Sequence, residues 1–185
     1  QDNRLKVAQF LGVADDRLLT PRQIHSFDAA YVSAAVPYDS MPKVDALVTD
    51  IPGLAVGVLT ADCAPVLLAC RKKRIVAAVH AGWRGAVGGV LESAVAEMQA
   101  RGAAARDIVA AVGPCIGPQS YEVSDGFEKP FIEHDKANEK FFHAAGKPGH
   151  LLFDLPGYVA SRLRRAGVEE VFDTKQDTLT AEDAY

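Results

Sequence analysis

Two short apolar runs, separated by four consecutive basic residues, place the strongest constraint on the fold of this chain. Residues 65–70 and 75–79 are apolar, and the charged residues 71–74 between them predict an exposed turn. A connection of four residues is too short for the crossover that parallel strands require. The two runs therefore predict an antiparallel pair of buried strands.

Two motifs flank this predicted pair of strands. A third apolar run, residues 54–59, leads into the TADC segment at 60–63, and the last run leads into the HAGWRG segment at 80–85. If the three runs form an antiparallel meander, Cys63 lies at the turn between its first two strands. The outward and return runs are about equal in length, so His80 returns to the level of Cys63. A cysteine and a histidine at one sheet edge can share one metal ion or one proton.

The rest of the chain alternates between helical and strand patterns. Apolar spacing and end signals predict helices at 2–12, 90–102 and 155–166, and strands at 43–50, 108–112 and 168–172. Residues 22–34 predict modest strands around a turn, which places His25 near a strand end. Residues 127–149 are expected to be helical in part.

Composition limits the class of protein. The 185 residues are 49% apolar and 24% charged, as expected for one soluble domain. No apolar window is long enough to span a bilayer, and the polar start does not resemble a signal peptide. A net charge of −4 gives no general nucleic-acid footprint. We therefore expect neither a membrane nor a nucleic acid as partner; the oligomeric state stays open.

The three cysteines predict free thiols. Cys63, Cys70 and Cys115 are odd in number and widely spaced, which is a poor disulfide framework. Together with the absence of an export signal, this favours the reducing cytoplasm. Cys70 lies within an apolar run and is expected in the core. Cys115 lies in a loop dense in glycine and proline, where it is a candidate to line the same pocket as Cys63.

A metal site becomes a specific hypothesis when His25 is added to Cys63 and His80. Catalytic Zn²⁺ typically takes three protein ligands and keeps a fourth position for water. Nitrogen, sulfur and nitrogen donors suit Zn²⁺ or copper. The spacing of the three residues matches no compact zinc-finger motif, so the hypothesis depends on the predicted strand geometry.

Residues beside these candidates each have a functional and a structural interpretation. Arg84 is a candidate to hold an anion near the start of the helix predicted after Gly85, or to form a surface ion pair. Trp83 can stack on a flat ligand or simply pack. The remaining histidines, in the charged segment, are expected at the surface: His134, His143 and His150.

Five motifs, in their order along the chain, resemble the laccase-domain family, also called the polyphenol oxidase-like family. They are QIH at 23–25, DALVT at 45–49, LTADCAPVLL at 59–68, HAGWRG at 80–85, and GPCIGP followed by YEV within 113–123. The resemblance runs from about Leu5 to Phe172. It implies an α+β fold, a single-domain layered α/β sandwich with a largely antiparallel or mixed central sheet. It also implies that His25, Cys63 and His80 are metal ligands.

The resemblance further implies purine nucleoside phosphorylase and adenosine deaminase activities. Members usually carry additional segments before Leu5 and after about Tyr185, so residues 1–185 are expected to form one domain lacking terminal segments of the full protein. The preferred hypothesis is a zinc enzyme, with copper as the other metal, acting on a purine nucleoside and phosphate. Asp62 would move protons, Arg84 would hold phosphate, and Trp83 or Tyr121 would stack on the base.

Three alternatives remain open at this stage. A metal-free cysteine hydrolase or deamidase would use Cys63 as nucleophile and His80 as base. A copper-dependent polyphenol oxidase would follow the older family name, but five histidines in the whole chain are too few for a multicopper cluster. A non-enzymatic metal-binding or partner domain is the third.

Overall fold

A computed structural model of the chain describes residues 2–180. Within that range the chain forms five α-helices: α1 (Asp2–Phe10), α2 (Trp83–Gly88), α3 (Val90–Ala100), α4 (Lys129–His134) and α5 (Leu155–Arg165). The strands of the same range are β1 (Leu18–Leu19), β2 (Ala29–Tyr31), β3 (Ala46–Thr49), β4 (Ala55–Val56), β5 (Ala64–Cys70), β6 (Val76–Ala81), β7 (Ile108–Val112), β8 (Glu122–Ser124), β9 (Phe142–Ala144), β10 (His150–Phe153) and β11 (Glu170–Asp173). None of the helices described is long and apolar enough to cross a membrane.

A six-stranded mixed sheet forms the centre of the fold, in the order β11-β7-β5-β6-β3-β2. Strands β7, β5, β6 and β3 run antiparallel to their neighbours in that order, whereas the two edge strands each pair in parallel with the strand beside them. The other two sheets are small: β8-β10-β9 and β1-β4. The predicted α+β fold with a mixed central sheet is confirmed.

Helices cover one face of this sheet because their apolar residues recur at helical spacing. The buried residues of α3 are Val90, Leu91, Ala94, Val95 and Met98, and they pack in one cluster with alternate residues of β5, β6 and β7. Asp154 caps the N-terminus of helix α5: its side chain accepts a hydrogen bond from the backbone N–H of Gly157 at 2.9 Å.

Within residues 2–180, the opposite face of the sheet is covered only at one end. Leu47 of β3 packs there with Leu19 and Leu54 in a second buried cluster, so all four residues of β3 are buried. Over β5 the described residues form no such second layer, and Leu67 is 58% exposed. The alternation of buried and exposed residues along β5 follows from this one-sided cover.

Several predicted elements agree with the structure and two do not. The antiparallel pair of β5 and β6, the exposed turn at 71–74 and helices α1 and α5 are confirmed. The run at 54–59 was expected to be the first strand of a meander, but it forms only the two-residue β4, which pairs in parallel with β1. The expectation that His25 lies at a strand end is also wrong: in 22–34 only β2 is a strand. What was predicted about Tyr185 and beyond lies outside the described residues.

The central strands bring particular chain segments to one sheet edge. Because β5 and β6 are antiparallel, the start of β5 lies beside the end of β6, and the start of β3 lies beside the same end of β6. Cys63 directly precedes β5, His80 is near the end of β6, and Asp45 directly precedes β3. These three side chains therefore belong to one edge of the sheet.

Candidate metal centre

Strand register sets Cys63 and His80 side by side. Ala64 pairs with Ala81, and Pro65 pairs with His80, so His80 comes to the level of the residues that follow Cys63. The antiparallel pair confirms this part of the prediction, although the strand expected before Cys63 is replaced by residues 57–63 without regular structure.

His25 reaches the same place from a loop. Its backbone has φ = +58°, a left-handed conformation that is uncommon outside glycine. The loop is held by the carboxylate of Asp45, which accepts hydrogen bonds from the backbone N–H groups of Ile24, His25 and Ser26 at 3.1, 3.1 and 2.6 Å. Three successive backbone N–H groups of this loop therefore donate to the Asp45 side chain and not to a neighbouring strand.

The ligand-type atoms of His25, Cys63 and His80 all lie within 4.8 Å of one another. The two imidazole rings meet edge to face, with centroids 4.8 Å apart and planes inclined by 80°. His80 is 4% exposed, Cys63 is half-buried and His25 is exposed, so the cluster is anchored in the protein and open on one side. Among residues 2–180 no other group of three such side chains is close enough to share an ion.

A glycine makes room for this cluster. A Cβ atom on Gly82 would stand 2.9 Å from Sγ of Cys63 and 3.4 Å from Cδ2 of His25. The 2.9 Å contact would require the thiol to move, whereas 3.4 Å is at the limit of ordinary van der Waals contact. The glycine of the HAGWRG segment therefore lets the backbone after β6 approach the thiol and the imidazole.

The environment of Cys63 keeps its thiol protonated when no metal is bound. Burial raises the pKa of the Cys63 thiol, and the negative charges of Asp62 and Asp45 raise it further. For Asp45, burial acts to raise the pKa, but hydrogen bonds from His80 and from the backbone of Ser26 and Ile24 outweigh it, and the pKa is lowered. Asp45 is therefore a carboxylate at neutral pH.

Asp45 is a side chain at this site that was not among the candidate residues, although it opens the DALVT motif at 45–49. Its Oδ1 lies 2.7 Å from Nδ1 of His80, and its backbone carbonyl accepts a hydrogen bond from the backbone N–H of His80 at 2.7 Å. An acidic residue before an apolar run usually indicates an exposed turn. Full burial of Asp45 became visible only in the structure.

The three candidates outside the trio have different surroundings. Asp62 is exposed, and its side chain accepts a hydrogen bond from Oγ1 of Thr178 at 2.7 Å. Arg84 is exposed in the first turn of α2, which begins at Trp83 rather than after Gly85, and its guanidinium lies 4.8 Å from the centre of the Trp83 ring.

Cys115 is not one of the three clustered side chains, but its loop lies beside them, since the backbone N–H of Ile116 donates to the carbonyl of Asp62 at 2.9 Å. It is 2% exposed and lines a cavity of about 320 Å³ together with Asp154, Asp173 and Asp177. Burial raises the pKa of the Cys115 thiol to about 12, with these carboxylates adding to the effect. Such a thiol is uncharged at neutral pH and has no direct access to solvent.

Aromatic side chains lie beside the centre. The Trp83 ring contacts Phe127 at 5.0 Å between centroids, and Phe127 contacts Tyr121 at 6.0 Å. Burial raises the pKa of the half-buried Tyr121; the charges of Cys63 and Asp62 raise it further, and that of Arg84 lowers it. The Tyr121 hydroxyl is therefore neutral at pH 7, able to donate a hydrogen bond, and close enough to Cys63, Asp62 and Arg84 to be affected by their charges.

The remaining histidines do not belong to the cluster of His25, Cys63 and His80. His134 and His143 are exposed, as predicted. His150 is partly buried; its Nδ1 lies 3.2 Å from the carbonyl of Pro148, and its Nε2 lies 3.7 Å from Glu122.

The relatives of this chain include proteins named as nucleoside enzymes. It is 33% identical to a purine nucleoside phosphorylase of Rickettsia conorii over 179 residues, which is 97% of this chain and 72% of the relative. It is 42% identical to an adenosine deaminase from an unknown prokaryotic organism over 137 residues, 70% of this chain and 52% of the relative.

Solved structures share the fold. A Neisseria meningitidis protein superposes with a TM-score of 0.88 at 33% identity, covering 98% of this chain and 71% of that protein. YlmD from Geobacillus stearothermophilus superposes with a TM-score of 0.84 at 28% identity, covering 98% and 71%. A family profile matches residues 1–185. The chain therefore belongs to the family described as multi-copper polyphenol oxidoreductase laccase.

Proposed function

We propose that this protein is a zinc-dependent enzyme of purine nucleosides, acting by phosphorolysis of adenosine- or inosine-type substrates and by deamination of adenosine. The observation that carries the proposal is the clustering of His25, Cys63 and His80, with all ligand atoms within 4.8 Å. The names of the relatives supply the substrate class.

The donor set fits zinc. Two imidazole nitrogens and one thiolate are ligands that Zn²⁺ binds at about 2.0–2.3 Å, and three protein ligands are typical of its catalytic sites. The ligand-type atoms lie within 4.8 Å of one another, so small side-chain movements would bring all three to bonding distance from one ion. When bound, zinc supplies an activated water at neutral pH and a positive charge that polarises an oxygen of the substrate.

The residues around the trio supply proton transfer, phosphate binding and contacts with the base. Asp62, exposed beside Cys63, accepts and returns the proton that moves from the attacking water to the departing ammonia in deamination. Arg84 balances the charge of phosphate in phosphorolysis, which yields the free base and a sugar phosphate. Trp83 and Tyr121 offer an aromatic surface and a hydroxyl donor for the base.

A second candidate function is a metal-free cysteine hydrolase. One observation favours it: Asp45 contacts His80 at 2.7 Å, and His80 lies near Cys63, which is the order of groups in a Cys-His-Asp triad. Two observations oppose it. The pKa of the Cys63 thiol is raised, whereas a nucleophilic cysteine needs it lowered, and His25 has no role in that mechanism.

Metal analysis combined with turnover separates these functions. The purified protein is expected to contain about one zinc per chain and to convert adenosine to inosine, and inosine with phosphate to hypoxanthine. Cys63→Ala is expected to lose both metal and turnover, while the control Cys70→Ala, a cysteine in the core, keeps both. Turnover by metal-free protein that a thiol alkylator abolishes would instead establish the hydrolase, and oxidation of a phenol by protein holding more than one copper per chain would establish the oxidase.

A further inference from the structure

Asp45 makes contacts that join both histidines of the candidate centre. Its Oδ1 meets Nδ1 of His80 and the backbone N–H of His25, while its Oδ2 meets the backbone N–H groups of Ile24 and Ser26. The side chain is fully buried, so water cannot take the place of any of these partners. One carboxylate thus satisfies four donors that come from two separate parts of the chain.

The contact with His80 fixes which ring nitrogen carries the proton. A carboxylate only accepts hydrogen bonds, so Nδ1 of His80 must be the donor across the 2.7 Å contact. In a neutral imidazole the other nitrogen then has a free lone pair. That nitrogen, Nε2, is the one left to act as a ligand.

The contacts with the loop fix the second histidine. Three successive N–H groups directed at one anion form a concave anion site, and they wrap residues 24–26 around the carboxylate. His25 stands in the middle of that loop at φ = +58°, a conformation that costs free energy unless its surroundings hold it. The carboxylate is what holds it.

We propose that Asp45 is the positioning residue of this centre: it sets the Nδ1–H tautomer of His80 and fixes the loop that carries His25. The hydrogen bonds of the Asp45 carboxylate go to Nδ1 of His80 and to backbone N–H groups of the loop, and not to the atoms proposed to bind the metal. Asp45 therefore acts through His80 and His25. The consequence for metal binding rests on the proposed zinc centre, whereas the tautomer belongs to the metal-free protein.

Asp45→Asn tests the proposal because it keeps the shape and reverses half of the hydrogen bonding. If the amide oxygen takes the place of Oδ2, the amide NH2 group faces Nδ1 of His80 and donates to it. The proton of His80 must then move to Nε2, which can no longer ligate a metal. In the same arrangement the backbone N–H of His25 loses its acceptor.

The first measurement uses metal-free protein labelled with ¹⁵N in its histidines. Long-range ¹H–¹⁵N spectra, with His80 assigned by comparison with His80→Ala, are expected to show the proton on Nδ1 in the wild type and on Nε2 in Asp45→Asn. A wild-type His80 protonated on Nε2 would overturn the proposal, and this result does not depend on whether the variant folds.

The second measurement is zinc affinity by competition with a chromogenic chelator. Removing such a supporting contact typically lowers metal affinity by about 10–100-fold, and we expect that loss in Asp45→Asn. The matched control is Asp50→Asn, which neutralises the carboxylate that accepts from the Tyr31 hydroxyl just beyond the other end of β3 and is expected to keep wild-type affinity. Equal affinity in Asp45→Asn and wild type would contradict the proposal. If wild type itself binds no zinc, the proposed function fails while the tautomer result still decides the role of Asp45.

Discussion

The α-carbon of Gly82 lies so close to Cys63 that a Cβ atom built on it would stand 2.9 Å from the Sγ atom. The same Cβ atom would stand 3.4 Å from the ring of His25. Gly82 has φ = −71°, a value that any residue adopts, so the constraint at this position is space and not backbone conformation.

Gly82→Ala is therefore expected to damage the metal centre more than the fold. The methyl group displaces the Cys63 thiol and crowds the His25 ring, and we expect zinc affinity to fall by about 10-fold or more. Competition with a chelator measures this loss, and thermal unfolding of metal-free protein measures the fold. The control is Gly146→Ala, where a Cβ atom meets nothing within 4 Å. Wild-type zinc affinity in Gly82→Ala would show that the cluster adjusts freely.

Native thiol labelling is expected to select Cys63. Cys63 is half-buried, whereas Cys70 and Cys115 are 6% and 2% exposed. Since the pKa of Cys63 is raised, the reactive thiolate is scarce at pH 7, and the rate with iodoacetamide should still be rising with pH above the usual thiol value of about 8.5. Mass spectrometry of peptides locates the label. A rate that levels off below pH 8 would contradict the raised pKa, and zinc is expected to block the reaction.

Arg84→Gln tests the proposed phosphate site. Loss of a charge-assisted hydrogen bond of about 1.5–3 kcal/mol should raise KM for phosphate in phosphorolysis by roughly 10-fold or more. Deamination uses no phosphate, so its rate and the zinc content should stay at wild-type levels. Arg106→Gln is the matched control, because Arg106 is exposed just before β7, at the end of that strand that pairs with Cys70 and not at the end beside Cys63. An unchanged KM for phosphate in Arg84→Gln would remove Arg84 from the site.

Arg162→Met is expected to weaken the fold without affecting the metal centre. Arg162 joins α5 to α3 through Glu92 at 2.5 Å and also donates to the Val87 carbonyl and the Tyr158 hydroxyl. Breaking a fully buried ion pair costs about 3–5 kcal/mol, and because Glu92 is 35% exposed we expect about 2–3 kcal/mol here.

Urea unfolding measures that free energy. Arg164→Met, an exposed arginine on the same helix, serves as control and should change stability by no more than about 0.5 kcal/mol. A loss below about 1 kcal/mol in Arg162→Met would show that the network of Glu92, Val87 and Tyr158 contributes little.

The sequence predicts those parts of the fold that depend on neighbouring residues. Four basic residues between two apolar runs leave only an antiparallel pair as a solution, and that pair brings His80 to the level of Cys63. Helices α3 and α5 follow from apolar spacing and from their end signals. The prediction that 54–59 is the first strand of a meander was wrong because an apolar run does not specify which strand it pairs with. Only Ala55–Val56 form a strand, β4, which pairs in parallel with β1.

The tertiary structure alone decided how the third donor is held. Asp45 lies about twenty residues beyond the loop of His25 and 35 residues before His80, and its hydrogen bonds to both depend on the sheet bringing these segments together. Asp45 lies opposite His80, one step beyond the Ala46–Val79 pair of the β3–β6 register. No periodicity reveals this contact, because which strand β3 pairs with is decided only by the fold. The sequence by itself determined which donor types are present and placed two of them, Cys63 and His80, at one sheet edge. The tertiary structure decided the left-handed loop of His25, the burial of the Asp45 carboxylate and the close approach of Gly82, because each arises from packing between distant segments.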